Sequence, residues 1–205
     1  MRILIINAHP DYSNAEHYSI QLLNYTKALL PDAEVLELYN SYIPRIDTDM
    51  FAAWGGSTEQ KPAAALKRQG ELVDQFLNSD IVLIFCPLHN FGVTSGLKDY
   101  FDNIIIAGKT FKYLSGGGSV GLLDNSKKVA YIQAAGSDYS HDIKYVNLDL
   151  APHYVRSIFS LMGITRINVI RAEGLSLSAT DKDAVVAKAK DEIKQTLVEY
   201  KVLSQ

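Results

Sequence analysis

Five short runs rich in Ile, Val and Leu recur along the chain, at residues 3–6, 34–38, 81–86, 129–132 and 167–170, and a longer helical pattern follows each. The helical stretches cover 15–30, 62–78, 94–106, 149–162 and 180–203. The first and third runs are apolar at every position, with no alternation of polar and apolar residues. Such strands must be covered on both faces, which is the condition of a parallel strand between two layers of helices. Five βα units in series therefore predict an α/β fold with an open, doubly wound, five-stranded parallel sheet, and the flavodoxin-like strand order is one of the few that right-handed crossovers allow. With 205 residues and no repeat or low-complexity linker, the chain is expected to form a single domain over 1–205.

Composition narrows the function. The formal net charge of −3 gives no broad positive field for nucleic acid or anionic lipid. No apolar run is long enough to span a bilayer, and the opening Arg2-Ile3-Leu4-Ile5-Ile6 is too short for a signal peptide. A single cysteine, Cys86, excludes an internal disulfide, and the expected location is the cytoplasm. The five histidines show no i, i+4 pair and no zinc-like spacing, so no metal site is expected.

In an open parallel sheet, ligands bind beyond the carboxyl ends of the strands, at the point where the strand order reverses. Three loops are placed to do this. The first, residues 7–16, runs from strand to helix without the Gly-x-Gly-x-x-Gly of dinucleotide folds or the Gly-Lys-Ser/Thr of a P-loop. A helix N-terminus presents free N–H groups and a positive dipole end, so His9, the Ser13 hydroxyl and the amides of Asn14 and Ala15 form a candidate phosphate cradle. Ser13 and Glu16 also match a capping box, which would satisfy the same N–H groups internally. The second loop is Pro87-Leu88-His89-Asn90-Phe91-Gly92. Asn90 can donate and accept at the edge of a flat heterocycle that His89 and Phe91 would bracket, although a buried aromatic plug beside a solvated histidine has the same sequence. The third loop, Gln133-Ala134-Ala135-Gly136-Ser137, is small enough for its backbone to approach a planar ligand, a property shared with ordinary turns.

The stretch Pro87-Leu88-His89-Asn90-Phe91, then Leu97-Lys98-Asp99-Tyr100-Phe101-Asp102, then Ala107-Gly108-Lys109-Thr110-Phe111-Lys112-Tyr113 resembles the signature of the FMN-dependent NADH-azoreductases and the related NAD(P)H quinone reductases. Ala8-His9-Pro10 is similar to the quinone reductase branch, where the histidine contacts the cofactor phosphate. The chain departs from the azoreductase pattern at Ala15, in place of a serine, and at His89, in place of a tyrosine. It departs again at Ala134-Ala135-Gly136-Ser137, in place of Ser-Arg-Gly-Gly. The resemblance implies FMN as cofactor, NADH or NADPH as electron donor, a quinone or azo compound as acceptor, two-electron ping-pong transfer, and a homodimer. It assigns no acid–base catalytic residue. A flavodoxin-type electron carrier and a non-redox protein of the same fold are the competing functions; fold alone does not separate them. Residues 93–106 carry Leu97, Tyr100, Phe101, Ile104, Ile105 and Ile106, more apolar surface than one sheet face requires, and this helix is therefore expected to meet a second subunit.

Overall fold

The computed structural model describes residues 1–204. Strands β1 (Ile3–Asn7), β2 (Glu34–Glu37), β3 (Ile81–Pro87), β6 (Lys128–Ala134) and β7 (Ile167–Ala172) form one parallel sheet in the order β2-β1-β3-β6-β7. This is the flavodoxin-like order, with the reversal between β1 and β3. Period-two alternation divides the central strands between two cores. Leu4, Ile6, Val82, Ile84, Val129 and Tyr131 face α3 (Gln60–Asn78), α4 (Ser95–Ile104) and α5 (Leu150–Leu161). Ile5, Leu83, Phe85, Ala130 and Ile132 face α1 (Tyr18–Leu29) and α6 (Lys182–Glu199). Both faces are covered, and that is why Ile3–Ile6 of β1 and Ile81–Cys86 of β3 carry no polar position.

Two short elements lie outside the five units. Helix α2 (Thr48–Trp54) is started by Asp47, whose Oδ1 accepts from the Met50 N–H at 3.1 Å. Trp54 belongs to its own chain's packing: its indole N–H donates to Gln69 of α3 at 3.0 Å. Strands β4 (Phe111–Tyr113) and β5 (Ser119–Gly121) form an antiparallel hairpin. At its base the backbone of Gly121 lies directly on Met162 and Gly163 at the end of α5, so close that a Cβ on Gly121 would overlap both. Gly163 has φ +99°, a conformation that favours glycine. The N–H of Leu123 donates to Met162 at 2.9 Å and fixes the crossing.

Two expectations change. Helix α1 begins at Tyr18, three residues later than the pattern suggested, because the preceding segment is a tight turn in which the Asn14 side chain accepts from the Glu16 N–H at 3.0 Å. The Ser13–Glu16 capping box is not formed. The apolar excess of α4 is used within the subunit: Leu97, Tyr100, Phe101 and Ile104 are each 0% exposed in the single chain. The face of α4 left outside carries Lys98, Asp99 and Asp102, and Lys98 pairs with Asp102 at 2.6 Å. Full burial of side chains of this size contributes about 1.5–3 kcal/mol each, which accounts for four of the six marked apolar residues as core, while Ile105 and Ile106 stay partly exposed. Among the described residues no helix is long and apolar enough to cross a membrane.

Candidate functional site

A cavity of about 250 Å³ opens at the carboxyl edge of the sheet, beside the reversal of strand order. Four loops line it. The loop after β1 and the first turn of α1 supply His9, Glu16, His17, Tyr18 and Ser19; the loop after β3 supplies Pro87 and Leu88. The loop after β6 supplies Ala134, Ala135 and Gly136, and the loop after β7 supplies Leu175 and Ser176. A larger hollow of about 620 Å³ lies at the opposite edge, around the amino ends of β1 and β2, away from the switch point.

The first loop is folded by its own polar groups. The Asn7 side chain accepts from the His9 N–H at 3.0 Å and donates to Glu37 at 2.5 Å. The Asp11 N–H donates to Nδ1 of His9 at 3.0 Å, which leaves the His9 proton on Nε2. The rings of His9 and His17 stack with centroids 4.0 Å apart, and Nε2 of His17 meets the Asp11 carboxylate at 2.9 Å. Burial, and after it the proximity of His17, lower the pKa of His9. The Asp11 carboxyl is held below its ordinary value by hydrogen bonds from His17 and Asn14. No side chain caps the first turn of α1. At that turn Ser19 is 1% exposed, yet its Oγ has no hydrogen-bond partner among the described residues. A buried hydroxyl left unpaired costs about 1–3 kcal/mol, and here it borders a cavity at a positive helix end.

The second loop is a two-residue turn closed by reciprocal His89–Gly92 hydrogen bonds of 3.0 Å. Asn90 and Phe91 take φ +47° and +67°. Asparagine tolerates that region, whereas phenylalanine does so at a cost of about 1–2 kcal/mol. Strain of this kind clusters at ligand clamps. Phe91 stays exposed and meets Tyr139 edge-on, with centroids 6.4 Å apart.

In the third loop the Ala135 N–H donates to Ala172 at 2.8 Å. The amides of Gly136 and Ser137 make no hydrogen bond among the described residues, so they can stabilise negative charge on a ligand. Glycine at 136 lets this loop approach Ser176, whose Oγ would lie 2.6 Å from a Cβ at that position and would have to turn away. Beneath the loop, Arg171 pairs with Asp149 at 2.6 Å and with Glu173 at 3.3 Å, and the Ser140 hydroxyl donates to Glu173 at 2.7 Å. Burial raises the Glu173 pKa.

Of the residues marked by sequence, His9, Pro87, Leu88, Ala134, Ala135 and Gly136 converge on the cavity. Ser13, Asn14 and Ala15 do not line it; they belong to the turn before α1. Gln133 also lies elsewhere. It is the odd-numbered neighbour of Ala134 on β6, so its side chain points into the opposite layer and donates to Asp149 at 3.3 Å. Asn90 and Phe91 stand exposed at the turn, His89 is exposed beside them, and Ser137 is engaged through its carbonyl by the Gly174 N–H at 3.0 Å. The sequence reading missed His17, Tyr18, Ser19, Leu175 and Ser176. One signal for Ser19 was available: a hydroxyl directly before the apolar Ile20, Leu22 and Leu23 stripe of α1 is a polar group bound for burial.

Comparison with known proteins agrees with this geometry. A family model described as "Flavodoxin-like fold" matches residues 1–197. The FMN-dependent NADH:quinone oxidoreductase 1 of Bacillus cereus is 36% identical, over 95% of this chain and 95% of that protein. The enzyme of the same name from Lactiplantibacillus plantarum is 35% identical, over 94% and 95%. A crystal structure of an FMN-dependent NADH-azoreductase from Bacillus anthracis, in complex with FMN, superposes with a TM-score of 0.90 at 32% identity, covering 97% of this chain and 99% of that one. On fold, site and identity together, this chain belongs to the flavodoxin-like family that contains the FMN-dependent NADH:quinone oxidoreductases and NADH-azoreductases.

Proposed function

We propose that this protein is an FMN-dependent NADH:quinone oxidoreductase that also accepts azo compounds. The observation that carries the reading is the unpartnered hydroxyl of Ser19, buried at the N-terminus of α1 and bordering the cavity at the switch point. A phosphate there would meet Ser19, His9, His17 and the free amides of the first turn. Pro87, Leu88, Asn90 and Phe91 would hold the ring system, and the Gly136 and Ser137 amides would face its electron-rich end. FMN, when bound, would supply the redox chemistry, namely hydride acceptance from NADH or NADPH and two-electron delivery to the acceptor in a ping-pong cycle. The protein binds and orients; no side chain is assigned as an acid or base, and water can supply the protons.

Exposed apolar side chains support a homodimer. The hairpin shows Tyr113, Leu114, Val120 and Leu122, and Ile143 is 89% exposed ahead of α5. Surface of this kind on a free monomer is an association site. The cytoplasm completes the reading, in keeping with a chain whose one cysteine, Cys86, is a buried free thiol. The test is to incubate the purified protein with FMN, remove the excess, and follow NADH oxidation with a benzoquinone and with an azo dye while sedimentation reports the oligomer. Retained flavin, NADH turnover with parallel double-reciprocal lines, and a dimer are expected. A protein that retains no flavin, or retains it without oxidising NADH, refutes the enzyme reading.

A further inference from the structure

The cavity has a charge deficit. A phosphomonoester carries about −1.5 to −2 at pH 7, and a helix N-terminus offers about half a positive charge. The twelve residues that line the cavity include no lysine and no arginine, and Glu16 adds a negative charge to the lining. The loops after β3, β6 and β7 contribute Pro87, Leu88, Ala134, Ala135, Gly136, Leu175 and Ser176, none of them charged, so nothing opposite the first loop makes up the difference. The ionisable groups that line the cavity are thus His9, Glu16, His17 and Tyr18, with Asp11 against His17; Asp138 and Glu173 flank the lining stretches after β6 and β7, and Glu173 is paired with Arg171.

The two histidines are not equivalent. His9 accepts the Asp11 N–H on Nδ1, so it stays neutral and offers its Nε2–H as a donor. A proton added to Nδ1 would break that contact. His17 gives its Nε2–H to the Asp11 carboxylate, at 2.9 Å, and its other ring nitrogen is free to take a proton with a counter-ion already in place. The rings stack with centroids 4.0 Å apart, so a charge on His17 would lie against the face of His9 as well as beside Asp11. An arriving phosphate adds a second negative group that favours a proton there.

We propose that His17 takes up a proton when the cofactor phosphate binds and becomes the only full positive charge at the site, with neutral His9 as a hydrogen-bond donor beside it. The inference rests on the FMN reading above and adds a consequence: this chain loads its cofactor through a proton-linked charge, and holds it less tightly as pH rises. The burial that keeps His9 neutral is consistent with the division of roles.

Calorimetric titration of the flavin-free protein with FMN and with riboflavin, between pH 6.5 and 8.5, tests this. In that range the phosphate is largely dianionic, its second pKa being about 6, so a change in affinity reports the protein. The FMN dissociation constant is expected to rise by up to about tenfold per pH unit, the limit for one linked proton. The heat should depend on the ionisation enthalpy of the buffer, while riboflavin binding stays flat. His17→Gln should remove the slope and the buffer dependence, with the loss of affinity greatest at pH 6.5. His9→Gln should weaken FMN by a similar factor at every pH and keep the slope. FMN tighter than riboflavin by the same factor at all pH values, with no buffer-dependent heat, overturns the proton linkage and leaves the phosphate site standing. FMN no tighter than riboflavin at any pH overturns the phosphate site, and the inference with it.

Discussion

Replacing Ser19 with alanine should produce two effects of opposite sign from the loss of one oxygen. In the flavin-free protein the hydroxyl is 1% exposed and has no partner. Removing an unsatisfied buried group returns part of a desolvation cost of about 1–3 kcal/mol, and alanine raises helix propensity by up to about 0.5 kcal/mol at the same position. Ser19→Ala should therefore raise the stability of the flavin-free protein by about 1 kcal/mol, or about 2–4 °C in Tm for a chain of this size. With FMN the sign reverses. A hydrogen bond to a charged group contributes about 1.5–3 kcal/mol, so the variant should bind FMN about 10- to 150-fold more weakly. Riboflavin, which has no phosphate, should bind unchanged. Urea unfolding of the flavin-free protein and fluorescence titration with both flavins give the two numbers. A destabilised flavin-free variant would show that the hydroxyl has a structural partner, and an unchanged FMN affinity would remove Ser19 from the phosphate site. Either result refutes the reasoning.

Phe91→Gly should stabilise the flavin-free protein by up to about 1–2 kcal/mol, because glycine adopts φ +67° without strain, and should weaken flavin binding by loss of the ring; a stability decrease on chemical unfolding would show that the edge-on contact with Tyr139 outweighs the backbone term. Gly121→Ala forces a Cβ into the backbone of Met162 and Gly163 and should cost about 1–3 kcal/mol, with faster amide exchange at Leu123; an unperturbed exchange pattern would mean that the hairpin can slide on α5.

Much of the architecture was legible because it is written in periodicity. Val82, Ile84 and Cys86 on one face of β3, and Ile81, Leu83 and Phe85 on the other, require two helical layers. The hairpin escaped notice because three-residue strands such as Phe111–Tyr113 are too short to show alternation. The start of α1 was misplaced for a different reason: Ser13 and Glu16 match a capping pattern, but Asn14 closes a local turn first. Ala15, marked as the departure from the azoreductase serine pattern, lies in that turn, and the hydroxyl-bearing residues that border the cavity are Tyr18, Ser19 and Ser176. Of the six apolar residues marked in 93–106, four are buried within the subunit and Ile105 and Ile106 stay partly exposed, since amphipathic width does not say which neighbour covers each residue. Gln133 shows the complementary limit. A loop residue and the last inward-facing strand residue look alike until the register of β6 is known.

The strand order also bears on how the protein is made. As the chain leaves the ribosome, β1, β2 and β3 can pair among themselves; β6 is then added at the free edge of β3, and β7 at the free edge of β6. The cavity draws its walls from both ends of that process, from His9 in the tenth part of the chain first synthesised to Ser176 in the last sixth. Until β7 has docked, the fourth wall is missing, and Gly136 has no Ser176 against which to set its loop. The cofactor therefore cannot act as a template for early folding. It can enter only a nearly finished sheet, where it acts as a lock on a structure the chain has already reached.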